Sequence, residues 1–490
     1  MNFAAEVLDA APPGRLALVE LARDGTRREW RFGEVAERSA RLAGTLAGRG
    51  IARGDVVMTV IGNRPEWVFA MAACFRLGAV VLPCTEQLRA KDLRLRVQDA
   101  KPSLILADER NLGELEGIGV PVLAVPDQAL YAAEPAPPAD LQEREPCLIT
   151  FTSGTAGEPK GVLHAQRYLY GQRLQAASWL APAAGELVWC TAASGWSKSA
   201  RNVFIAPWLR GAAAVVHDAR FDPHERLELL ARERVAVLCM APTEYRVIAK
   251  RATLGALPDL RAMVAAGEAL NPEVLSAWQE ATGLQIRDGY GQTETGQLTG
   301  APRGSEPRPG SMGPALPGVE LEIEDGELLV APGTVPTFFL GYLGEHAVRA
   351  GDGSWILRDR RAEGPWHTGD RVGIDEDGWL HFEGRGDDVI VSAGYRIGPF
   401  EVESALVAHP AVAEAAAVAA PDEERGSVVR AIVVLRDGVA AGPALAAELQ
   451  EHVKRVTAPY KYPRIVDFAG ELPKTASGKI KRAELRAQAR

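Results

Sequence analysis

Apolar residues alternate between strand-like and helix-like patterns from Gly54 to Asp108. Asp55–Ile61 is a β-branched apolar run, Pro65–Leu77 has a helical pattern, and Gly78 stands where it can end that helix. Two further short apolar runs follow, at Ala79–Leu82 and Leu104–Ala107. Strands that alternate with helices predict a parallel sheet with helices packed on its faces.

The alternation stops at a Pro/Ala-rich loop, Ala133–Pro138, and returns further along the chain. Strand-like runs then lie at Leu187–Thr191, Ala213–His217, Val235–Met240 and Ala262–Ala266, with helix-like runs at Pro223–Glu233 and Pro272–Ala281. Asn271 before Pro272 is a favourable helix start. The pattern therefore predicts two βα lobes before residue 300.

The pattern changes near residue 310. Val319–Val330 alternates around Asp325-Gly326, a strong hairpin signal, and Asp375–Phe382 alternates around Asp377-Gly378. We interpret residues 310–386 as a mostly β lobe and residues 387–490 as a small α+β unit. The predicted domains are therefore 1–386 and 387–490.

Composition narrows the class of protein. The chain has 490 residues and a net charge of −9, which favours several domains and disfavours a nucleic-acid-binding role. Five widely spaced cysteines with no Cys-x-x-Cys pair argue against a zinc site or a disulfide framework: Cys74, Cys84, Cys147, Cys190 and Cys239. The first residues lack the pattern of a signal peptide, and the most apolar window, Trp67–Pro83, predicts a buried helix and strand rather than a membrane span. We expect a cytoplasmic protein.

The stretch Phe151–Gly161, FTSGTAGEPKG, combines three glycines, three hydroxyl side chains and Lys160. Backbone N–H groups freed by glycine, together with hydroxyls and an ammonium, suit a phosphate. A flexible loop has the same composition. The P-loop NTPase motif is excluded, because it requires Ser or Thr after the lysine and Gly161 stands there.

This stretch resembles the phosphate loop of the adenylate-forming superfamily, which includes acyl-CoA synthetases, luciferases and nonribosomal peptide adenylation domains. The resemblance implies that ATP is contacted by Thr152, Ser153, Gly154, Thr155 and Lys160. Ala156 departs from the pattern, since many members carry a hydroxyl there, and one phosphate contact is in doubt.

A second motif, Asp288–Gly296 or DGYGQTETG, follows an apolar strand. A polar turn is the simpler interpretation, and the dinucleotide fingerprint fails because Glu294 replaces its third glycine. The family carries Tyr-Gly-x-Thr-Glu here. By resemblance, Tyr290 packs on adenine, Gly291 and Gln292 belong to the nucleotide site, Thr293 contacts the α-phosphate, and Glu294 holds Mg²⁺.

A function can be assigned to the weaker motifs only through the resemblance, since each has the composition of an ordinary turn. It implies adenine contacts for Gly267 and Glu268, ribose contacts for Asp370 and Arg385, and a phosphate contact for Arg396.

The C-terminal stretch Leu472–Lys481 is rich in lysine, as solvated tails are. In the family, Lys479 enters the active site and bridges the carboxylate and the α-phosphate, where a cation offsets their repulsion. Asp387 corresponds to the hinge between domains. The predicted catalytic residues are Lys479, Glu294 and Thr293.

Five segments resemble the medium-chain acyl-CoA synthetases more closely: 195–200, 221–223, 288–296, 392–399 and 457–464. In those enzymes the tryptophan equivalent to Trp196 lines the acyl pocket, although a core role is the alternative. Lys454, Tyr462 and Gly394 lie where that family contacts CoA.

The resemblance thus implies an α/β adenylate-forming fold. It has a large N-terminal domain of two βα lobes plus a β lobe, and a small mobile α+β C-terminal domain. The implied activity is AMP-forming acyl-CoA synthesis from ATP, CoA and a small carboxylic acid, with Mg²⁺. The acid is a medium-chain fatty acid by closest resemblance. A branched short acid, a benzoate-type acid, a carrier-protein acceptor and a non-catalytic sensor remain open.

Overall fold

The computed structural model describes residues 1–152, 159–267, 272–306, 308, 310–386, 388–392, 395–422, 425–474 and 480–488. Helices in chain order are α1 (Phe32–Gly48), α2 (Pro65–Leu77), α3 (Ala90–Ala100), α4 (Gln166–Gly171), α5 (Arg173–Ala177), α6 (Ser197–Ala200), α7 (Ala206–Leu209), α8 (Pro223–Arg232), α9 (Pro242–Arg251), α10 (Pro272–Thr282), α11 (Pro399–Val407), α12 (Pro443–Val456) and α13 (Arg482–Ala487). Short 3₁₀ or π-helical turns lie at Ala4–Asp9, Glu109–Leu115, Gln128–Tyr131, Arg201–Ile205, Pro332–Thr334, Arg360–Glu363 and Pro459–Lys461.

The strands of the two βα lobes come first in the chain. They are β1 (Leu16–Leu21), β2 (Arg27–Arg31), β3 (Val56–Val60), β4 (Val80–Cys84), β5 (Leu104–Asp108), β6 (Val122–Val125), β7 (Pro146–Phe151), β8 (Gly161–Ala165), β9 (Leu187–Cys190), β10 (Ala213–His217), β11 (Val237–Met240), β12 (Ala262–Ala266) and β13 (Ile286–Gly289).

The later strands are shorter at first and longest near the C-terminus. They are β14 (Gly291–Gln292), β15 (Gly296–Gln297), β16 (Ser311–Gly313), β17 (Leu321–Glu324), β18 (Glu327–Val330), β19 (Gly341–Tyr342), β20 (Ala347–Arg349), β21 (Trp355–Leu357), β22 (Trp366–Ile374), β23 (Leu380–Arg385), β24 (Ile390–Ser392), β25 (Tyr395–Ile397), β26 (Val412–Asp422), β27 (Gly426–Leu435) and β28 (Ile465–Ala469).

Two seven-stranded, mostly parallel sheets form the βα lobes. Their orders are β19-β8-β7-β4-β3-β5-β6 and β13-β12-β11-β9-β10-β1-β2. The central strands β3, β4, β9 and β11 are buried along their whole length, as continuous apolar runs in parallel sheets are. Among the described residues, none of the helices is both long and apolar enough to cross a bilayer.

Aromatic side chains join the two lobes. Trp67 on α2 packs edge-on against Phe204, with ring centres 5.6 Å apart, and Phe204 contacts Trp208 on α7 at 4.9 Å. All three are buried. Burial of an apolar side chain such as Phe204 stabilises this interface between the lobes by about 1.5–3 kcal/mol.

The β lobe and the C-terminal unit complete the chain. The β lobe is an antiparallel sheet in the order β16-β23-β22-β18-β17. The C-terminal unit pairs β26 with β27 antiparallel and β27 with β28 parallel, and packs α11, α12 and α13 around them. This arrangement confirms the predicted α/β fold of two βα lobes, a β lobe and an α+β unit.

Candidate active site

A cavity of about 1880 Å³ lies where the carboxyl ends of both parallel sheets converge. Its wall includes the residue directly after each of six strands: Thr85, Thr152, Thr191, Ala241, Gly267 and Tyr290. Open α/β sheets bind ligands at such ends, because the strand order leaves a crevice there. The fold therefore directs the predicted motifs to one place.

The predicted phosphate loop connects β7 to the antiparallel β8. Thr152 N–H donates to the Lys160 carbonyl at 3.0 Å, and Lys160 N–H donates to Thr152 Oγ1, also at 3.0 Å. A Cβ at residue 161 would lie 2.6 Å from Leu343 Cδ1, so a larger residue there would require the Leu343 side chain to move. The loop ends are thus fixed, while the predicted contacts Ser153, Gly154 and Thr155 lie outside the described residues.

Tyr342 connects two of the predicted motifs. Its hydroxyl donates to Glu294 Oε1 at 2.7 Å, and the Lys160 ammonium lies 4.8 Å from the centre of its ring. Burial and the neighbouring Glu294 carboxylate raise the pKa of Tyr342 well above its usual value, so the hydroxyl remains a donor. Lys160 Nζ also lies 3.8 Å from Glu345 Oε2. The sequence reasoning missed Tyr342, because a single tyrosine carries no pattern.

Glu294 has the character of a carboxylate that could share a divalent cation with phosphate. It is 9% exposed and lines the cavity beside Thr293. Within the described part of the chain, no three His, Cys, Asp or Glu side chains form a metal-binding group. A cation here would take most of its ligands from phosphate or water, which is how Mg²⁺ usually binds. The site therefore fits Mg²⁺ better than a metal held by protein ligands alone.

Asp370 is the centre of a second group of hydrogen bonds in the cavity wall. It lies on β22 directly opposite Arg385 on β23, and its Oδ1 is 3.3 Å from Arg385 Nη1. Its Oδ2 accepts hydrogen bonds from the Tyr290 hydroxyl and from Gln292 Nε2, the latter at 2.7 Å. Trp366 Nε1–H donates to Gln292 Oε1 at 2.9 Å and so orients the amide. A ribose hydroxyl at Asp370 would therefore share the carboxylate with protein donors.

Trp196 lies at the start of α6 and lines the cavity. Gly195 before it has φ +90°, and a Cβ there would lie 2.4 Å from Thr85 N. Only glycine permits this contact between the Trp196 turn and the end of β4. The backbone therefore fixes the position of Trp196.

Lys198, two residues further on, contacts the end of β12. Its ammonium donates to the Ala266 carbonyl at 3.0 Å, next to Gly267, which has φ +103°. On the neighbouring strand, burial raises the pKa of Asp288 to about 8, although the Gly289 N–H and the Lys198 charge oppose the shift. Two ionisable groups that sequence reasoning did not assign thus lie beside the predicted adenine turn.

Glu244 forms an ion pair with the buried Arg226 in the same cavity wall, which the sequence reasoning also missed. Their closest charged atoms are 3.6 Å apart, and the guanidinium lies 4.4 Å from the centre of the Trp189 ring. The Thr191 hydroxyl donates to Glu244. The pattern showed Glu244 only as a first-turn acidic residue of α9, which is common at helix starts.

Some predicted site residues do not line the cavity, and others lie outside the described residues. Lys454 and Tyr462, the predicted CoA contacts, meet each other with the ammonium 4.2 Å from the ring centre, but neither lines the cavity. Arg396 lies on β25, and its side chain is outside the described part. Four more predicted residues lie outside it altogether: Glu268, Asp387, Gly394 and Lys479. Lys474 and Ile480, the described residues on either side of 475–479, do line the cavity.

Comparison with known proteins shows the family of the chain. The AMP-binding enzyme family matches residues 5–343, and the AMP-binding enzyme C-terminal domain family matches residues 401–479. The chain is 38% identical to the uncharacterized acyl-CoA ligase YtcI of Bacillus subtilis, over 96% of this chain and 93% of that protein. It is 39% identical to the mitochondrial acyl-coenzyme A synthetase ACSM4 of Homo sapiens, over 99% and 90%.

Solved structures show the same relationship. An acyl-CoA synthetase from Brucella canis matches with a TM-score of 0.74 and 32% identity, covering 100% of this chain and 94% of that one. A benzoate CoA ligase from Burkholderia xenovorans LB400 matches with a TM-score of 0.86 and 27% identity, covering 99% and 100%. The chain therefore belongs to the AMP-binding enzyme family, among its acyl-CoA synthetases, which are AMP-forming acid–thiol ligases.

Proposed function

We propose that this synthetase activates a carboxylic acid of medium chain length in two half-reactions. A carboxylate oxygen of the acid attacks the α-phosphorus of ATP, and diphosphate leaves as acyl-AMP forms. The thiol of CoA then attacks the acyl carbonyl, and AMP leaves. The observation that supports this proposal is the convergence of the phosphate-loop ends, Glu294, Asp370 and Trp196 on one cavity.

The nucleotide half of the cavity contains donors and acceptors suited to ATP. Lys160 and Thr293 would contact phosphate oxygens, Tyr290 would lie against adenine, and Asp370 with Arg385 would position the ribose. Glu294 would hold Mg²⁺, which when bound neutralises part of the phosphate charge. Because the acid is itself the nucleophile, catalysis requires mainly positioning and charge stabilisation.

We further propose that Lys479 supplies the cation that lets the two anions meet, with Arg396 on the phosphates. Lys474 and Ile480 bracket the segment that contains Lys479 and line the cavity, which supports this role. The proposed domains are 1–386 and 387–490, with Asp387 as the hinge. This division is compatible with the two family matches, which end at residue 343 and begin at residue 401.

The second half-reaction requires a route for the thiol. Lys454, Tyr462 and Gly394 are proposed to contact CoA. The first two lie away from the cavity, so a rotation of the C-terminal domain about Asp387 would have to bring them near. The proposed partners are thus ATP, CoA and a small carboxylic acid, and the proposed location is the cytoplasm.

Medium chain length is proposed from the likeness to medium-chain synthetases and from Trp196, which closes part of the cavity wall. A benzoate-type acid is the second candidate, because the benzoate CoA ligase structure matches over the whole chain. Either acid would occupy the space beside Trp196, since the nucleotide is proposed to occupy the part of the cavity lined by the nucleotide motifs.

The test is acid-dependent AMP release with ATP, Mg²⁺ and CoA across acetate, butyrate, hexanoate, octanoate, decanoate and benzoate. We expect the highest kcat/KM at hexanoate or octanoate. A maximum at acetate or benzoate would refute medium chain length. ATP–pyrophosphate exchange without transfer to CoA would favour a carrier-protein acceptor, and no exchange with any acid would favour a non-catalytic sensor.

A further inference from the structure

The acyl side of the cavity contains a buried arginine that the proposed chemistry does not use. Arg201 is 5% exposed and lines the cavity, in a π-helical turn that directly continues α6 after Trp196. Its Nε and Nη1 atoms have no hydrogen-bond partner in the described structure. Buried guanidinium groups are normally paired with carboxylates, because a desolvated charge without a partner is strongly destabilising.

The neighbours of Arg201 do not compensate its charge. Burial, together with the charges of Arg201 and Arg167, lowers the pKa of His164 to about 3, so this imidazole is neutral. Both ring nitrogens of His164 and both polar side-chain atoms of Asn202, the next residue along, also lack partners in the described structure. The nearby Tyr168 hydroxyl lies within hydrogen-bonding reach of Arg201, but burial raises its pKa, so it stays neutral and does not offset the charge. No described carboxylate forms an ion pair with Arg201.

A second cation lies on the same side of the helical segment. Lys198 precedes Arg201 by three residues, a spacing that places both side chains on one helix face. Its described partner is the carbonyl of Ala266, which is a neutral acceptor. The wall next to Trp196 is therefore positively charged as well as apolar. An alkyl tail would leave this charge unpaired, whereas an oxygen acceptor would pair with it.

We propose that the acid taken by this synthetase carries an oxygen acceptor in its tail, a ketone or a second carboxylate, and that Arg201 binds it. This inference rests on the proposed function and specifies its substrate class. A guanidinium suits such a group, because its fixed N–H donors match carbonyl and carboxylate oxygens. Adipate and 5-oxohexanoate have the chain length of hexanoate and differ from it only by this acceptor.

The experiment compares kcat/KM for hexanoate, 5-oxohexanoate and adipate in the wild type and in Arg201→Met. Methionine is similar in length and uncharged. In the wild type we expect at least one acceptor-bearing acid to exceed hexanoate by tenfold or more, and Arg201→Met to remove that preference. A polar site rejects an analogue that lacks the matching group because its buried donors stay unpaired.

Two controls separate specificity from stability. Arg210→Met makes the same change at an exposed arginine whose described hydrogen bond is to the Pro182 carbonyl, outside the cavity, and should keep the wild-type preference. Arg201→Lys keeps the charge and should retain part of the preference, even if Arg201→Met does not fold.

The outcomes are distinct. If hexanoate is activated as well as both acceptor-bearing acids, or if Arg201→Met or Arg201→Lys leaves a tenfold preference unchanged, the role of Arg201 is wrong while the proposed function stands. If none of these acids nor any acid of the earlier panel supports AMP release, the proposed function itself is wrong.

Discussion

Removal of the Tyr342 hydroxyl group is the most direct test of the proposed nucleotide site. It donates to Glu294 at 2.7 Å, while its ring lies 4.8 Å from the Lys160 ammonium. Tyr342→Phe removes the hydroxyl and keeps the ring. The cation–π contact, worth about 0.5–1 kcal/mol at an exposed site such as Lys160, therefore survives the change.

The magnitude follows from the hydrogen bond that is lost. A hydrogen bond to a charged group contributes about 1.5–3 kcal/mol. Since each 1.4 kcal/mol is about tenfold in an equilibrium or rate, adenylation should fall by roughly 10- to 150-fold. Glu294 without this donor would be less well oriented toward the phosphates, so the concentration of Mg²⁺ needed for half-maximal rate should rise as well.

The assay is ATP–pyrophosphate exchange with the preferred acid, titrated with Mg²⁺. Tyr170→Phe is the matched control, because the Tyr170 hydroxyl donates to Glu6 Oε2 at 2.8 Å, and neither residue lines the cavity. The same atom is thus removed from the same type of hydrogen bond at another place. Thermal melting of both variants shows whether a loss of exchange reflects unfolding.

Two results would contradict the reasoning. Exchange by Tyr342→Phe within twofold of the wild type at all Mg²⁺ concentrations would mean that this hydroxyl does not orient Glu294 for adenylation. An equal loss in Tyr170→Phe would mean that the effect is a general consequence of the lost bond and not a property of the cavity.

The other predictions concern backbone, charge and domain motion. Gly195→Ala should lose about 1–3 kcal/mol of stability and most acid activation, because φ is +90° and the added methyl group would meet Thr85. Gly185→Ala is the control: φ is +81° but the space around it is open, so it should lose only about 1 kcal/mol. Chemical denaturation compares the stability of the two variants. Asp288→Asn should have a higher melting temperature than the wild type, and the difference should grow as pH rises from 5 to 9. The raised pKa of the Asp288 carboxyl favours the folded wild type at low pH, and this stabilisation is lost as pH rises through about 8. A difference in melting temperature that stays constant with pH would contradict this reasoning. Lys479→Ala should lose ATP–pyrophosphate exchange yet transfer supplied acyl-AMP to CoA, and unchanged exchange would refute its role. Asp387→Pro should still form acyl-AMP but transfer it poorly, because proline restricts φ at the proposed hinge, and an equal loss of both half-reactions would refute that.

Local signals predicted many elements of the fold well. Pro65–Leu77 is helical over the predicted residues, and Gly78 ends it in the left-handed conformation at φ +72°. Asp325 and Gly326 both have positive φ, which joins β17 and β18 as a tight hairpin. These elements depend on neighbouring residues, so the sequence contains the necessary information.

Non-local pairings were harder to predict. The sequence did not predict that β1 pairs with β10, about two hundred residues later in the chain, and so joins the second sheet. The local hairpin of β1 and β2 was missed as well, although Asp24-Gly25 lies at its turn. The hairpin predicted at Asp375–Phe382 was placed too narrowly: its strands are Trp366–Ile374 and Leu380–Arg385. Pairing partners that are distant in the chain decide where such strands begin and end.

The same distinction explains which half of the cavity could be predicted. The nucleotide side is built from turns at strand ends, where glycines and hydroxyls occur as short contiguous motifs. The acyl side is built from the helical segment that contains α6, the turn Arg201–Ile205 and α7. Trp196 precedes α6 in extended backbone, whereas Arg201 directly follows α6, and both line the wall. Helical spacing alone therefore does not identify the residues that face the cavity on this side. The reaction type can be read from contiguous motifs, whereas the residues that we propose to select the substrate are brought together only by the fold.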